Sequence, residues 1–192
     1  ASLQARLEKI FWAAGIKIIN MYGLTETSPI ITINRTEKGN VKLGSVGMPI
    51  EGVEVKIAED GEILCKGPNV FAGYYKDPDL TRLAFDEEGW FHTGDIGHFE
   101  DNRFLMVTDR KKEIFKLSNG KFIAPQVIEN LFKELPIIDQ IMVMGEHEKF
   151  ASALISPNFN YFNDWKTSNK ISFSDNEELI RQPLVLDHFS SE

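Results

Sequence analysis

The chain is predicted to have a mixed α+β fold, because its sequence pattern changes twice along its length. Residues 1–40 combine a helical period, a glycine and an apolar run, which is typical of the last helix–strand unit of a large α/β domain. Residues 41–109 alternate apolar and polar positions between tight turns, which predicts a small antiparallel, barrel-like β subdomain. Residues 113–192 mix helices with strands, so we expect a compact but incomplete α+β domain there.

A helix and a strand are predicted before residue 22. Ser2 is a suitable N-cap for the helix, and Gly15 is a suitable end. The apolar residues that fall on one face of this helix are Leu3, Leu7, Ile10, Phe11 and Ala14. The apolar run 16–21 follows as a buried strand. A doubly wound α/β sheet places ligands at the carboxyl ends of its strands, so functional residues are expected directly after this run.

Two hairpins and one short helix are predicted in the β subdomain. The first hairpin turns at Asp60-Gly61 and the second at Asp101-Asn102, each between alternating apolar residues. Between the hairpins, Pro78 is suited to the first turn of a helix that continues to Ala84.

The region after residue 113 is predicted to contain three strands and three helices. The strands cover 113–117, 138–144 and 150–155, and the helices begin at Pro125, Asn158 and Ser174. Ser174 and Glu177 have the spacing of a capping box. The helix from Pro125 is expected to turn four apolar residues inward: Val127, Ile128, Leu131 and Phe132.

Composition excludes some classes of function. With 42% hydrophobic and 26% charged residues, the 192-residue chain has the composition of a folded globular protein. Its formal net charge of −8 argues against a general nucleic-acid binder. The single cysteine, Cys65, is expected in the core and fits a reducing, cytoplasmic compartment. Basic residues cluster between 109 and 121, which suits a small polyanion or, alternatively, a solvated loop.

Residues 20–26, with the sequence NMYGLTE, bring four different functional groups within five positions. Tyr22 offers a ring, Gly23 a permissive turn, Thr25 a hydroxyl and Glu26 a carboxylate. A nucleoside triphosphate site needs a ring for the base, polar groups for phosphate oxygens and a carboxylate for Mg²⁺. The alternative is a strand–turn–helix junction, in which Thr25 caps the helix and Glu26 faces its dipole.

Two later stretches add to this pattern. In GWFHTGDIG of residues 89–97, Asp95 lies between glycines, and its two carboxylate oxygens suit a vicinal diol. The alternative is a turn aspartate that bonds its own backbone, and His92 is interpreted as structural. In TDRKKE of residues 108–113, the sequence pattern changes at Lys112, which indicates a domain boundary.

These three stretches, in this order, resemble the adenylate-forming enzymes, and most closely the AMP-forming long-chain fatty acyl-CoA synthetases. The resemblance to the long-chain group rests on DRKKE of residues 109–113, GKFIAP of residues 120–125, and ALISP of residues 153–157 followed by Phe162 and Trp165. The resemblance covers most of the chain.

The resemblance implies a role for each residue of the first motif. Tyr22 would stack on adenine, and Gly23 would form the turn of the nucleotide site. Thr25 would hydrogen-bond the α-phosphate and Glu26 would hold Mg²⁺, so both are candidate catalytic residues.

The resemblance also assigns the later motifs. Asp95 would accept hydrogen bonds from both ribose hydroxyls, and Arg110 would contact the ribose at the end of the large domain. Residues 110–112 would form a hinge with Lys112 as its pivot, followed by a small mobile domain over 113–192. Gly120 would line the tunnel for the pantetheine of coenzyme A.

The implied reaction uses ATP, Mg²⁺ and coenzyme A. A fatty acid would be activated as acyl-AMP and then transferred to CoA. Two alternatives stay open: a fatty acyl-AMP ligase that delivers to a carrier protein, and a non-catalytic binding or assembly module. No nucleic-acid partner is expected, and the sequence does not determine the oligomeric state.

The resemblance further implies that the chain is a fragment. The loop that cradles the β- and γ-phosphates in the family is not found in these residues, nor is the family's late lysine. The isolated chain is therefore expected to be inactive or nearly so. The enzyme is expected to be cytoplasmic, with peripheral contact at the inner face of a membrane as an alternative, because its substrate is a lipid.

Overall fold

A computed structural model describes residues 5–169 and 175–191. The chain divides into two compact units, the first ending at Ile114 and the second beginning at Phe115. Both units combine helices with antiparallel strands, so the prediction of a mixed α+β fold is confirmed. The caps predicted at Ser2 and Ser174 lie outside the described residues.

Helix α1 (Ala5–Ala13) ends in a glycine motif. Gly15 has φ of 83°, in the left-handed region that favours glycine. Its N–H bonds the carbonyl of Trp12, and the N–H of Ile16 bonds the carbonyl of Phe11. These paired bonds form a Schellman motif, so the predicted end of the helix is correct.

The predicted buried strand over 16–21 is wrong. Strand β1 covers only Met21–Tyr22, and Ile16 and Met21 are more than half exposed. On the predicted apolar face of helix α1, Leu7, Ile10 and Phe11 are exposed, and Leu3 lies outside the described residues. Glu8 is instead buried and accepts a 2.6 Å bond from the N–H of Gly44. A buried strand needs neighbours on both edges, and within the described residues β1 pairs with β2 alone.

Two antiparallel sheets make up the first unit. A small sheet has the order β1-β2-β3, with β2 at Thr32–Ile33 and β3 at Met48–Pro49. A four-stranded meander has the order β4-β5-β6-β7. Its strands are β4 Glu54–Ile57, β5 Glu62–Lys66, β6 Phe91–Glu100 and β7 Phe104–Arg110.

The local signals of the β subdomain are confirmed. The β4–β5 hairpin turns at Gly61 (φ 86°), and the β6–β7 hairpin turns through Asp101 and Asn102, both with positive φ. Helix α2 (Pro78–Ala84) has Asp77 as its N-cap, whose carboxylate accepts from the N–H of Leu80 at 2.9 Å.

The core of the first unit contains two clusters, and β5 contributes a residue to each. One cluster contains Ile31, Val53, Cys65 and Phe91, and the other contains Val46, Ile63 and Leu105. Cys65 is fully buried, as predicted, and this burial raises the pKa of its thiol to about 12.

Strand β6 contains a bulge opposite β5. Leu64 pairs with His92 and Glu62 pairs with Ile96, so residues 93–95 face the single residue Ile63. Gly94 has φ of 73° within this bulge. A bulge changes the direction in which neighbouring side chains point. It is therefore the local feature that decides where Asp95 lies.

The second unit begins with the β8–β9 hairpin (Phe115–Lys116 and Phe122–Ile123). Gly120, with φ of 88°, turns between the two strands. Helix α3 (Pro125–Phe132) packs against β10 (Ile138–Met144), which pairs with β11 (Ser152–Pro157). Three helices follow: α4 Phe159–Asn169, α5 Asn176–Arg181 and α6 Pro183–Ser191.

The inward face of α3 differs from the prediction. Ile128 packs into a core cluster with Leu117, Ile123 and Val143, but Val127, Leu131 and Phe132 are exposed. Glu129 lies on the inner side, where its Oε1 accepts a 2.8 Å bond from the N–H of Val143. One backbone N–H of β10 thus has a carboxylate partner, and this contact sets the rotation of the helix.

The larger core of the second unit is built by Ile137, Ile138, Ile141, Phe162, Leu179 and Val185. Helix α5 is capped by Asp175, whose carboxylate accepts from the N–H of Glu178 at 2.8 Å. Among the described helices, none has the length and apolar content required to cross a bilayer.

Replacement of the fully buried Leu105 tests the core of the first unit. Leu105→Ala should lower the free energy of unfolding by about 2–5 kcal/mol, because it removes apolar contacts and leaves a cavity. Leu83→Ala makes the same chemical change at a side chain that is 79% exposed, and should cost less than about 1 kcal/mol. Urea unfolding measures both, and equal losses would contradict this description of the core.

Candidate functional site

The carboxylate of Asp95 brings the three sequence motifs together. Tyr22 donates a 2.7 Å hydrogen bond from its hydroxyl to Oδ2 of Asp95. Arg110 places its Nε 2.9 Å from Oδ1. The side chain of Asp95 is 5% exposed, whereas that of Arg110 is 56% exposed. The structure thus joins three of the predicted site residues through one buried carboxylate.

Pairing between strands explains why these side chains meet. Asp95 on β6 lies directly opposite Arg110 on β7. The N–H of Asp95 donates to Oγ1 of Thr93 at 3.2 Å, and Thr93 in turn donates to the carbonyl of Ile63 at 2.7 Å. Asp95 is therefore a strand residue within a bulge. The alternative of a turn aspartate that bonds its own backbone is wrong.

Burial keeps the Tyr22 hydroxyl protonated. Desolvation raises the pKa of Tyr22 well above its usual range, and the adjacent Asp95 carboxylate raises it further. A hydrogen bond with Thr93 acts in the opposite direction but is outweighed. Tyr22 consequently stays a hydrogen-bond donor to Asp95 at neutral pH.

In this conformation the charges of Asp95 and Arg110 are paired with each other. The Arg110 guanidinium lies on Oδ1, and little of the Asp95 side chain reaches solvent. A diol can therefore approach the Asp95 carboxylate only after the Arg110 side chain moves. The Arg110 side chain is exposed and has room to move. Its departure would leave the buried Asp95 carboxylate without a charged partner unless the ligand replaces the lost bond.

Gly23 is fixed by a close approach of the backbone. A Cβ atom at this position would lie 1.8 Å from the carbonyl oxygen of Pro29, a distance that no side chain can occupy. The chain then forms a 3₁₀ turn over Thr25–Thr27. Only glycine allows Tyr22 and this turn to be adjacent.

Within the 3₁₀ turn, Thr27 rather than Thr25 makes the local hydrogen bonds. The Thr27 hydroxyl accepts from the N–H of Leu24 at 2.9 Å and donates to the carbonyl of the same residue. Thr25 is exposed. The alternative in which Thr25 serves as a cap is therefore wrong, and its hydroxyl is available to a ligand.

Glu26 is held by a segment that the sequence reasoning missed. The hydroxyl of Tyr74 donates to Oε1 of Glu26 at 3.0 Å, and the N–H of Phe71 donates to the Glu26 carbonyl at 2.8 Å. Asn69 donates from Nδ2 to the carbonyls of Thr27 and Ile30. Burial, and then Glu26, raise the pKa of Tyr74, so this donor also stays protonated.

The donor set at Glu26 fits one magnesium ion that is shared with a substrate. Over residues 5–169 and 175–191, Oε2 of Glu26 has no hydrogen-bond partner. In the same residues, no group of three or more aspartate, glutamate, histidine or cysteine side chains lies close enough together to hold a metal ion. Mg²⁺ is commonly bound by one or two carboxylates together with substrate phosphates. A single half-buried carboxylate is therefore sufficient.

A second network, around Glu62, was also missed. Its buried carboxylate accepts from the N–H of Gly94 at 3.0 Å and from Nζ of Lys111 at 2.7 Å, and contacts Nδ1 of His92 at 2.9 Å. Lys111 also reaches Asp60 at 2.7 Å. Burial raises the pKa of Glu62, but its partners outweigh this effect and hold the pKa below its usual value. An acidic residue at the start of an otherwise apolar strand was the available signal.

Two predicted residues lie apart from the Asp95 cluster. Lys112 is exposed in the turn that follows β7, two residues before the first unit ends at Ile114. Gly120 belongs to the second unit. A Cβ atom would fit at this position, but the positive φ favours glycine. Their proposed roles in movement and in CoA binding stay predictions.

The sequence matches a known family. The profile of the AMP-binding enzyme family matches residues 1–75. A long-chain-fatty-acid–CoA ligase of Mycobacterium bovis is 41% identical over 169 residues, which cover 88% of this chain and 28% of that protein. Human long-chain-fatty-acid–CoA ligase 1 is 37% identical over 186 residues, which cover 90% of this chain and 26% of that protein. The chain thus spans little more than a quarter of the length of these curated relatives.

Solved structures show the same fold. The o-succinylbenzoate CoA synthetase of Bacillus subtilis, in complex with its acyl-adenylate intermediate, aligns with a TM-score of 0.73 and 27% identity. This alignment covers 88% of the present chain and 38% of that chain. The same synthetase in complex with ATP and a magnesium ion aligns with a TM-score of 0.71 and 27% identity, over 91% and 36% of the two chains.

The raised pKa of Tyr22 predicts a pH-dependent stability. Because the folded-state pKa lies above that of an unfolded tyrosine, this contribution is full below about pH 10 and is lost as the pH rises toward the folded-state value. Above about pH 10, the free energy of unfolding should fall more steeply for the wild type than for Tyr22→Phe, by roughly 1 kcal/mol per pH unit.

Urea unfolding at a series of pH values measures this difference. Below about pH 9 the difference between the two proteins should be constant, which serves as the internal control. Parallel curves up to pH values of about 12 would show that the Tyr22 hydroxyl is not held in its neutral form.

Proposed function

Because this chain belongs to the AMP-binding enzyme family, we propose that it is part of an AMP-forming long-chain fatty acid–CoA ligase. The observation that carries the proposal is the contact of Tyr22 and Arg110 with the buried Asp95 carboxylate. Three separate sequence motifs supply these residues, and the fold brings them to one place. The names of the curated relatives support the long-chain substrate.

The nucleotide is proposed to bind across this cluster. The half-buried Tyr22 ring would stack on adenine, and the exposed Thr25 hydroxyl would bond the α-phosphate. Asp95 would accept from the ribose hydroxyls once Arg110 has exchanged its carboxylate partner for the ligand. A carboxylate can accept both hydroxyls of a diol at once, which is why an aspartate suits this position.

Glu26 is proposed to hold Mg²⁺ through the Oε2 atom that points away from Tyr74. The bound cation would neutralise charge on the phosphate oxygens when a carboxylate attacks the α-phosphorus. The relative that was solved with ATP and a magnesium ion supports magnesium as the cation. Tyr74 would keep the Glu26 side chain in the required rotamer throughout.

The reaction is proposed to run in two steps. The fatty acid carboxylate attacks the α-phosphorus of ATP, releasing pyrophosphate and forming acyl-AMP. The CoA thiolate then attacks the acyl carbonyl, and AMP leaves. Rotation about Lys112 would present Gly120 for the second step only, so that one nucleotide site serves two chemistries.

Long-chain fatty acid, ATP and CoA are thus the proposed substrates, and a cytoplasmic location is proposed with them. The rival within the family is a fatty acyl-AMP ligase, which shares every nucleotide residue and differs in its acyl acceptor. Product analysis separates these two activities. A binding module without catalysis would show neither.

The primary test is acid-dependent ATP–pyrophosphate exchange by the complete gene product that contains these residues. Acids from acetate to stearate should give exchange that rises with chain length, with CoA thioester formed in the same samples. Glu26→Gln should lower the exchange rate by roughly 10²-fold, because the carboxylate charge at the metal is lost. Glu87→Gln makes the same change at an exposed residue and should leave the rate unchanged.

The outcomes of this test are distinct. Exchange without thioester would move the assignment to a fatty acyl-AMP ligase. If no acid supports exchange, or if Glu26→Gln matches the wild type, the proposed chemistry is wrong.

Restriction of the pivot should separate the two steps. Lys112→Pro fixes φ near −65° and removes an N–H, so adenylation should persist while thioester formation falls by roughly tenfold or more. Lys112→Ala removes the same charge but leaves the backbone free, and should affect thioester formation less. Single-turnover assays of each half-reaction give the comparison, and equal loss in both steps would refute a pivot at Lys112.

A further inference from the structure

The bulge in β6 leaves a backbone donor without a strand partner. Residues 93–95 face only Ile63 on β5, so the ladder between these strands is interrupted at Gly94. The N–H of Gly94 instead donates to Oε1 of Glu62 at 3.0 Å. A buried N–H that lacks a partner is costly, so Glu62 supplies the bond that the bulge removes.

The other oxygen of Glu62 holds the neighbouring strand. Nζ of Lys111 lies 2.7 Å from Oε2, and the N–H of Lys111 donates to the carbonyl of Gly94 at 2.9 Å. His92 contacts the same Oε2 at 2.9 Å. Glu62, Gly94 and Lys111 therefore form a closed ring of bonds across β5, β6 and the end of β7.

This ring of bonds lies next to both Asp95 and Arg110, the two residues proposed to contact the ribose. Gly94 immediately precedes Asp95, and Lys111 immediately follows Arg110. The Glu62 side chain is 4% exposed, so water cannot replace its bonds without a change in structure. A buried carboxylate that is paired with a charged group strongly restricts the positions of the groups that it bonds.

We propose that Glu62 is a positioning residue that holds the β6 bulge and thereby aims the Asp95 carboxylate at the ribose. This inference rests on the proposed nucleotide function. The carboxylate of Glu62 bonds Gly94, Lys111 and His92, and not Asp95. Its effect on the substrate should therefore depend on Asp95 and on the ribose hydroxyls.

A comparison of ATP with 2′,3′-dideoxy-ATP reads this effect directly. The measured quantity is the ratio of kcat/KM for the two nucleotides in pyrophosphate exchange by the complete gene product. The wild type should prefer ATP, because only ATP offers a diol to Asp95. Glu62→Ala should reduce this preference by roughly tenfold, mainly through a higher KM for ATP.

A double-mutant cycle distinguishes positioning from general support of the fold. In Asp95→Ala, which already lacks the preference, adding Glu62→Ala should not change the ratio further. Glu54→Ala, an exposed glutamate on the adjacent strand β4, is the matched control and should retain the wild-type ratio. A purely structural role would instead lower kcat/KM for both nucleotides equally.

Glu62→Gln keeps the test decisive if Glu62→Ala does not fold. The amide oxygen of glutamine can still accept from the Gly94 N–H, but the amide carries no charge to pair with Lys111. The ATP preference should therefore fall in this variant too, by roughly threefold, which is less than in Glu62→Ala. If the wild type discriminates and Asp95→Ala abolishes discrimination, but neither Glu62 variant alters it, the positioning role is wrong and the proposed function stands. If the wild type shows no exchange or no discrimination, the ribose assignment itself fails.

Discussion

The first unit depends on how the buried carboxylate of Asp95 is satisfied. A carboxylate removed from water is costly unless both oxygens have partners, and here Tyr22 and Arg110 supply them. These partners come from β1 and β7, so the bonds fix the two strands relative to β6. Since Arg110 is exposed and Tyr22 is not, the proposed nucleotide would compete with Arg110 for Asp95 while Tyr22 stays in place.

Local signals predicted most of the β subdomain. Turn residues such as Gly61 and the Asp77-Pro78 pair specify backbone conformation without help from distant residues, and the structure has both features at the predicted positions. The strand over 16–21 failed for the opposite reason. An apolar run becomes a buried strand only when other strands flank it, and within the described residues only Met21–Tyr22 pairs with a strand.

The parts of the candidate site that the sequence did not predict are long-range contacts. Tyr74 is 48 residues from Glu26, and Lys111 is 49 residues from Glu62, so no periodicity or spacing connects them. The three motifs were found because each is contiguous in sequence. Their supporting residues were not predicted, because the role of the buried Glu62 depends on how β5 pairs with the bulge in β6. That pairing cannot be read from a contiguous stretch of sequence.

Three consecutive basic residues differ in how firmly they are held, and this bears on the proposed hinge. Arg110 bonds Asp95 and Lys111 bonds Glu62, and both carboxylates are buried in the sheet. Lys112 lies exposed in the following turn. The Arg110 carbonyl accepts from the N–H groups of Glu113 and Ile114, so backbone rotation at Lys112 would break these two bonds. The side-chain bonds of Arg110 and Lys111 precede the rotating residue and would stay in place. The anchored side chains thus end at Lys111, so the proposed nucleotide site would end there and the proposed movement would begin at the next residue.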